Sequence, residues 1–209
     1  GAATFPAAWN DMMAAVDKAR AGRFTRDEVL FPQGWNLLNF LMDARTGLGR
    51  FHDFRISNYQ LMMALIDYCA LQPIERIMAL PDVVERTELY FAHSERCKEQ
   101  IRRCARVHKN LVVLDLRTEE VIYAGNRFIV YALFPETNIS IHVLWGLKRS
   151  NTVFATGKSI LNRTSRTNIG PLMLEYGGGG HENAGTCQVD NELAEDVLGA
   201  LVNRINKDG

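Results

Sequence analysis

Residues 175–185 read EYGGGGHENAG, so Gly177, Gly178, Gly179 and Gly180 run directly into His181. Glycine loses more conformational freedom on folding than any other residue. Four in a row therefore imply a backbone geometry, or a close approach, that side chains would block. After a helix, such a run can turn several backbone N–H groups toward one anion, a concave nest suited to phosphate. His181 could then donate to a phosphate oxygen or stack on a base. A plain helix terminator would show the same glycines.

A second set of groups lies in GKSILNRTSRTNIG, residues 157–170, where Lys158, Ser159, Asn162, Arg163 and Arg166 gather around an expected strand end. Arg163 offers a planar fork to phosphate, Lys158 a point charge and Ser159 a neutral donor. A solvated loop would have the same composition. Both segments fall in one half of the chain, which favours convergence on a single anion.

The elements that must position these groups follow from periodicity. Apolar spacing at Trp9, Met12, Met13 and Val16 predicts a helix from Pro6 to Arg20. Thr25 with Glu28, and Ser57 with Gln60, stand in the relation of capping boxes. WNLLNFLMDA and NYQLMMALIDYCAL read as helices, with the glycine- and charge-rich loop RTGLGRFHDFRIS between them. From Asp82 to Asn110 no glycine or proline occurs across 29 residues, which predicts one long linking helix. Beyond it LVVLDL, ISIHVLW, TVFATGKS and AGTCQV read as strands, the middle two as a hairpin. NRFIVYALFPE leans to helix, NIGPLMLEY is a short helix running into the glycines, and NELAEDVLGALVNRIN is a terminal helix. The order is a helical first half followed by β-α-β-β-α-β-α. The expected class is thus α/β (α+β), a C-terminal mixed-sheet domain preceded by a mostly helical segment and a long linker helix.

Composition limits the partners. The 209 residues carry 24 basic and 24 acidic side chains, so no long-range field gathers nucleic acid, and anion binding must be local. Neutral charge favours a small substrate over a long duplex. No apolar run approaches the roughly 18 residues that span a bilayer, so no membrane partner is expected and a cytoplasmic location is the default. Cys69, Cys97, Cys104 and Cys187 form no CxxC pair and are expected as reduced, buried thiols.

YGGGGHENAG, with GKS and NRTSRT upstream, resembles the DHHA1 domain of the DHH phosphoesterases, whose mark is a helix ending in GGGGH or GGGH followed by xxA[GS]. The resemblance covers residues 110–209 well and divides the chain in three. Residues 1–80 become a helical remnant of a DHH domain, 81–109 the linker helix and 110–209 the substrate-binding DHHA1 domain. It implies that Gly177, Gly178, Gly179, Gly180 and His181 contact substrate, with Ser159, Arg163 and Lys158 as helpers. The implied partner is a short oligonucleotide or nucleoside bisphosphate, as in the oligoribonuclease, adenosine bisphosphate phosphatase and exopolyphosphatase-related types. It also leaves room for a homodimer.

In that family the chemistry belongs to an N-terminal DHH domain, where DxD and DHH motifs hold two manganese ions about 3.5 to 4 Å apart. This sequence has no DxD, no DHH and no DH pair, the nearest being His52–Asp53, and its five histidines are scattered. The resemblance therefore implies a chain inactive by itself, binding no metal alone. DARTGLGRFHDF resembles a diverged D-T-G-x-F segment, which makes Asp43 the candidate metal ligand, set against an ordinary helix-end aspartate. Gly1 in place of Met looks like the residue left by tag removal, so the missing DHH domain is expected upstream. A second reading is a non-catalytic nucleotide- or RNA-binding module related to the C-terminal domain of alanyl-tRNA synthetases.

The remaining features have plain readings. The Met12–Met13 and Met62–Met63 pairs are expected as core filler. His93 and His108 are not at ligand spacing, the direction of His142 is open, and Trp145 and Phe154 are expected to pack in the hairpin.

Overall fold

The computed structural model describes residues 6–51 and 53–209; Gly1 and His52, both raised above, lie outside the described residues. The chain divides into two compact units. The first comprises Gly1–Cys97 and Tyr123–Ile129, the second Lys98–Ile122 and Val130–Gly209.

The first unit is helical, built from α1 (Asn10–Ala21), α2 (Arg26–Leu30), α3 (Gly34–Met42), α4 (Asn58–Leu71), α5 (Ile74–Met78) and the first turns of α6 (Pro81–Cys104). Both expected capping boxes form, Thr25 with Glu28 at α2 and Ser57 with Gln60 at α4. Leu37, Leu41, Leu61, Leu65, Ile77 and Val83 fill the core. The methionine pairs do not. Met62 and Met63 are exposed and α1 buries none of its residues, because Leu61 and Leu65 take the inward face of α4.

A buried cation ties this unit together. Arg86 is fully buried, and Nε donates to Asn58 Oδ1 at 3.0 Å while Nη1 donates to the Asp82 carbonyl at 2.7 Å and to Glu85 Oε1 at 3.1 Å. Its Nη2 donates to the Ile56 carbonyl at 2.8 Å, and the guanidinium lies 3.9 Å from the centroid of Phe54. One side chain thus satisfies the loop before α4, the start of α4 and the first turn of α6. Such a planar donor fork, stacked on an aromatic face, has no equivalent in lysine.

The second unit carries a six-stranded sheet in the order β1-β2-β3-β4-β6-β5. The strands are β1 (Ala105–His108), β2 (Leu111–Asp115), β3 (Ile139–Trp145), β4 (Thr152–Lys158), β5 (Gly179–His181) and β6 (Ala184–Val189). Only β2 and β3 run parallel; the other neighbours are antiparallel, so the sheet is mixed as expected. One sheet face, with Ile139, Ile141, Val143, Phe154 and Cys187, packs under α8 (Ile169–Leu174) and α9 (Ala194–Asp208).

Three expectations are corrected here. The long helix stops at Cys104, not Asn110, and the chain turns into β1 to pair with β2, reversing at Lys109 with a φ of 55°. Pairing with a distant strand overrides a local pattern that reads as continuing helix. The helix expected over 126–136 shortens to α7 (Ile129–Leu133). The glycine run was expected only as a loop, yet its second half is β5, an edge strand whose sequence has no strand propensity. All four cysteines are unbridged thiols, Cys97 and Cys187 buried, Cys69 and Cys104 half-buried. Phe154 packs in the core as expected.

Replacing Arg86 with Ala removes a donor from Asn58 Oδ1 and from the Ile56 and Asp82 carbonyls, all part-buried. The expected cost is about 3 kcal/mol, read as a lower urea midpoint at unchanged slope. A shift under about 1 kcal/mol would show that these groups find other partners.

Candidate functional site

The site is built where α8 ends and the edge of the sheet begins. Gly177 adopts φ 73° and donates to the Leu174 carbonyl at 3.1 Å, and Gly178 donates to the Met173 carbonyl at 2.9 Å. Those two amides therefore cap α8. The next three residues pair with β6 in the register Gly179 to Thr186, Gly180 to Gly185 and His181 to Ala184.

Most of the glycines have a packing reason. A Cβ at Gly178 would stand 2.1 Å from the Thr186 carbonyl oxygen, and one at Gly180 would stand 2.3 Å from that of Ala184. At Gly185 it would meet the Gly179 carbonyl oxygen at 2.8 Å, and at Gly170 on α8 the Gly180 carbonyl oxygen at 3.0 Å. Gly179 differs. It is exposed, lies outside the left-handed region, and its Cβ would have no neighbour within 4 Å. Nothing inside the fold requires a glycine there, so the open backbone is surface available to a ligand.

The turn after β5 draws in the neighbouring elements. The Asn183 amide donates to His181 Nδ1 at 3.2 Å, the Lys158 amide to the Asn183 carbonyl at 2.9 Å, and the Ile169 amide to the Glu182 carbonyl at 3.2 Å. With Nδ1 accepting, the neutral imidazole carries its proton on Nε2, and the exposed ring presents a donor.

Because directly paired residues share a face, Gly179 and His181 stand on the sheet face opposite the α8–α9 core. One row across that face is Leu114, His142, Ala155, Thr186 and Gly179; the next is Val112, Ser140, Gly157, Ala184 and His181. Ala155, Gly157, Ala184 and Gly179 make a low floor between the larger side chains. Tyr131 of α7 donates to the Gly157 carbonyl at 2.8 Å and shares a 2.8 Å hydrogen bond with Ser140 Oγ, fixing one end of that floor. Burial pushes the imidazole of His142 down to about 4, so it is neutral at pH 7 and adds no charge to this face.

The remaining expected residues take several places. Ser159 is buried; its Oγ accepts from the amides of Leu161 at 3.1 Å and Asn162 at 3.0 Å and so shapes the loop that follows. Arg163 is exposed on that loop, with Nε donating to the Ile160 carbonyl at 3.1 Å. The Lys158 side chain is only 14% exposed and its Nζ lies 3.5 Å from Glu182 Oε1. The pleat sends it to the face opposite His181, so the two do not converge. Tyr131, Ser140, Gly157 and Thr186 were not singled out from the sequence; strand register places the last three on the face of His181, and Tyr131 joins them from α7 through its bonds to Ser140 and Gly157.

In the first unit, Asp43 ends α3 and accepts from the Arg45 amide at 3.0 Å and from Arg45 Nε and Nη2 at 2.7 Å each. Arg127 Nε lies 3.8 Å away. Burial alone would raise the Asp43 carboxyl, but the Arg45 hydrogen bonds and the two guanidinium charges hold it below the usual range. Among the described residues no three His, Cys, Asp or Glu side chains form a group able to hold a metal. The donors among the described residues do not fit a two-manganese centre.

No protein-family model matches the chain, and a search of curated proteins returns no match. Among solved structures, the chain is similar to a pGpG-specific phosphodiesterase, PggH, from Vibrio cholerae, with 64% identity and a TM-score of 0.90. That match covers 99% of this chain and 69% of the other. An exopolyphosphatase-related protein from Bacteroides fragilis matches with 12% identity and a TM-score of 0.46, covering 96% of this chain and 57% of that one.

The glycine geometry has a direct consequence. Gly178→Ala and Gly180→Ala drive a Cβ into backbone atoms and are expected to lower stability by about 2 to 4 kcal/mol. Gly179→Ala is expected to stay within about 0.5 kcal/mol of the parent in thermal or urea unfolding. Equal losses at all three positions would contradict the distinction.

Proposed function

From the premise that this chain belongs to the DHH/DHHA1 phosphoesterase family, we propose that it is the substrate-gripping part of a hydrolase acting on short nucleotides, with a pGpG-like dinucleotide as substrate. The carrying observation is 64% identity over 99% of the chain to a phosphodiesterase specific for pGpG. The exposed Gly179 backbone and the His181 Nε2 donor support it, since they offer a close approach and a hydrogen bond to a phosphate oxygen without a charged cluster. Exposed Arg163 adds a guanidinium fork on the adjoining loop.

In this reading the chain binds and orients. His181 donates to a non-bridging phosphate oxygen and the small-residue floor accepts the sugar or base. The neutral His142 limits anion attraction to the edge of the sheet. The described residues do not fit a two-metal centre. Manganese ligands, and with them bond cleavage, are assigned to polypeptide outside this sequence, as is the rest of the DHH domain. The four unbridged cysteines accord with a reducing, cytoplasmic setting.

Fluorescence anisotropy with labelled pGpG tests this. The chain is expected to bind, His181→Ala to weaken binding about tenfold, the value of one charge-assisted hydrogen bond, and Gly179→Val to weaken it at least as much. Unchanged affinity in both variants would remove this edge from the site. With manganese added, the chain alone is expected to release no GMP from pGpG. Release of GMP would contradict the division of labour.

A further inference from the structure

The turn that joins β5 to β6 carries a carboxylate where an anion site has no evident use for one. In the two segments that build the site, 157–170 and 176–189, Glu182 is the only acidic residue. Its backbone is fixed. The Ile169 amide donates to the Glu182 carbonyl at 3.2 Å, and the Lys158 amide donates to the next carbonyl, that of Asn183, at 2.9 Å. The side chain is 71% exposed, with Oε1 3.5 Å from Lys158 Nζ. A contact that long is at the outer limit of a hydrogen bond, so it steers the carboxylate and leaves both oxygens able to accept. An ion pair this open adds little to stability. Next to His181 and Gly179, the same negative charge opposes a phosphate.

We propose that Glu182 determines base specificity, accepting from guanine N1–H and N2–H through its two carboxylate oxygens. This rests on the reading of the β5 edge as a phosphate grip and adds to it the group that reads the base. Guanine is the one RNA base with two adjacent donors on its Watson–Crick edge, which suits a carboxylate in the bidentate, charge-assisted geometry. Adenine places an unprotonated N1 there, lone pair against lone pair. The base edge of a nucleotide lies several ångströms from its own phosphate, so Glu182 need not share the sheet face of His181. Its place at the hairpin tip, one residue further on, lets a ligand held at His181 reach it. The charge selects in both senses: it penalises any phosphorylated ligand, and only a base that brings two donors offsets the penalty.

Competition anisotropy with pGpG, pApA and the inosine dinucleotide pIpI, which keeps N1–H and lacks the N2 amine, tests this. The parent chain is expected to bind in the order pGpG, pIpI, pApA, with about tenfold between successive ligands. Glu182→Ala is expected to weaken pGpG at least about tenfold, to leave pApA no weaker, and to bring all three within about threefold of one another. Glu182→Gln, which keeps one acceptor oxygen, is expected to fall between the two. His181→Ala is expected to weaken all three ligands by the same factor, since it acts on the phosphate. The thermal midpoint of Glu182→Ala is expected to match the parent. A parent that binds all three alike, or a Glu182→Ala variant that keeps the parent's order, would overturn the guanine reading alone. A parent that binds none of the three would overturn the phosphate grip and this proposal with it.

Discussion

The second unit depends on the absence of Cβ atoms where β5, β6 and the first turn of α8 meet. Gly170, Gly178, Gly180 and Gly185 let three segments of backbone approach to distances at which a methyl group would collide with carbonyl oxygens. That contact lays α8 on the end of the sheet, holds β5 as an edge strand and leaves His181 at its tip. The glycine run therefore has two roles in four residues. Gly177 and Gly178 end a helix, Gly180 permits the packing, and Gly179 is left open to solvent.

This arrangement fits the proposal that a chain with no net charge presents an anion-binding edge. Its exposed donors are local, and their neighbours are neutral or paired. Lys158 lies beside Glu182, and the burial of His142 keeps that ring uncharged at pH 7. In the proposed reading, recognition rests on hydrogen-bond geometry and on space at the backbone, and little on long-range attraction, which suits a ligand with few phosphates. The first unit is stabilised by other means. Its small core is fastened through one buried guanidinium, and α4 keeps an apolar face in solvent.

Much of the fold was legible in the sequence because it is locally encoded. Both capping boxes, the β3–β4 hairpin and the alternation that buries Phe154 follow from residue type and period alone. The family was legible in YGGGGHENAG, where Gly178, Gly180 and Gly185 answer to backbone contacts that a Cβ would block. What stayed hidden is encoded between distant segments. Ala105–His108 continues a helical pattern and becomes a strand only because β2 is there to pair with it. Gly179–His181 has no strand propensity and is held by register with β6. Tyr131 and Ser140 reach the His181 face through cross-strand neighbours far away in the sequence. The methionine pair on α4 reads as core filler in any amphipathic scheme, and only the competing claim of Leu61 and Leu65 on the inward face turns it outward.

The central claim is that the β5 edge grips the phosphates of a short nucleotide. Titrating pGpG into the isotopically labelled chain and following backbone amide and imidazole NMR signals tests it most directly. The account expects saturable shifts concentrated at Gly179, Gly180, His181 and Thr186, with the Arg86 network and the α8–α9 core unmoved. Saturable shifts centred elsewhere, or none at millimolar ligand, would contradict it.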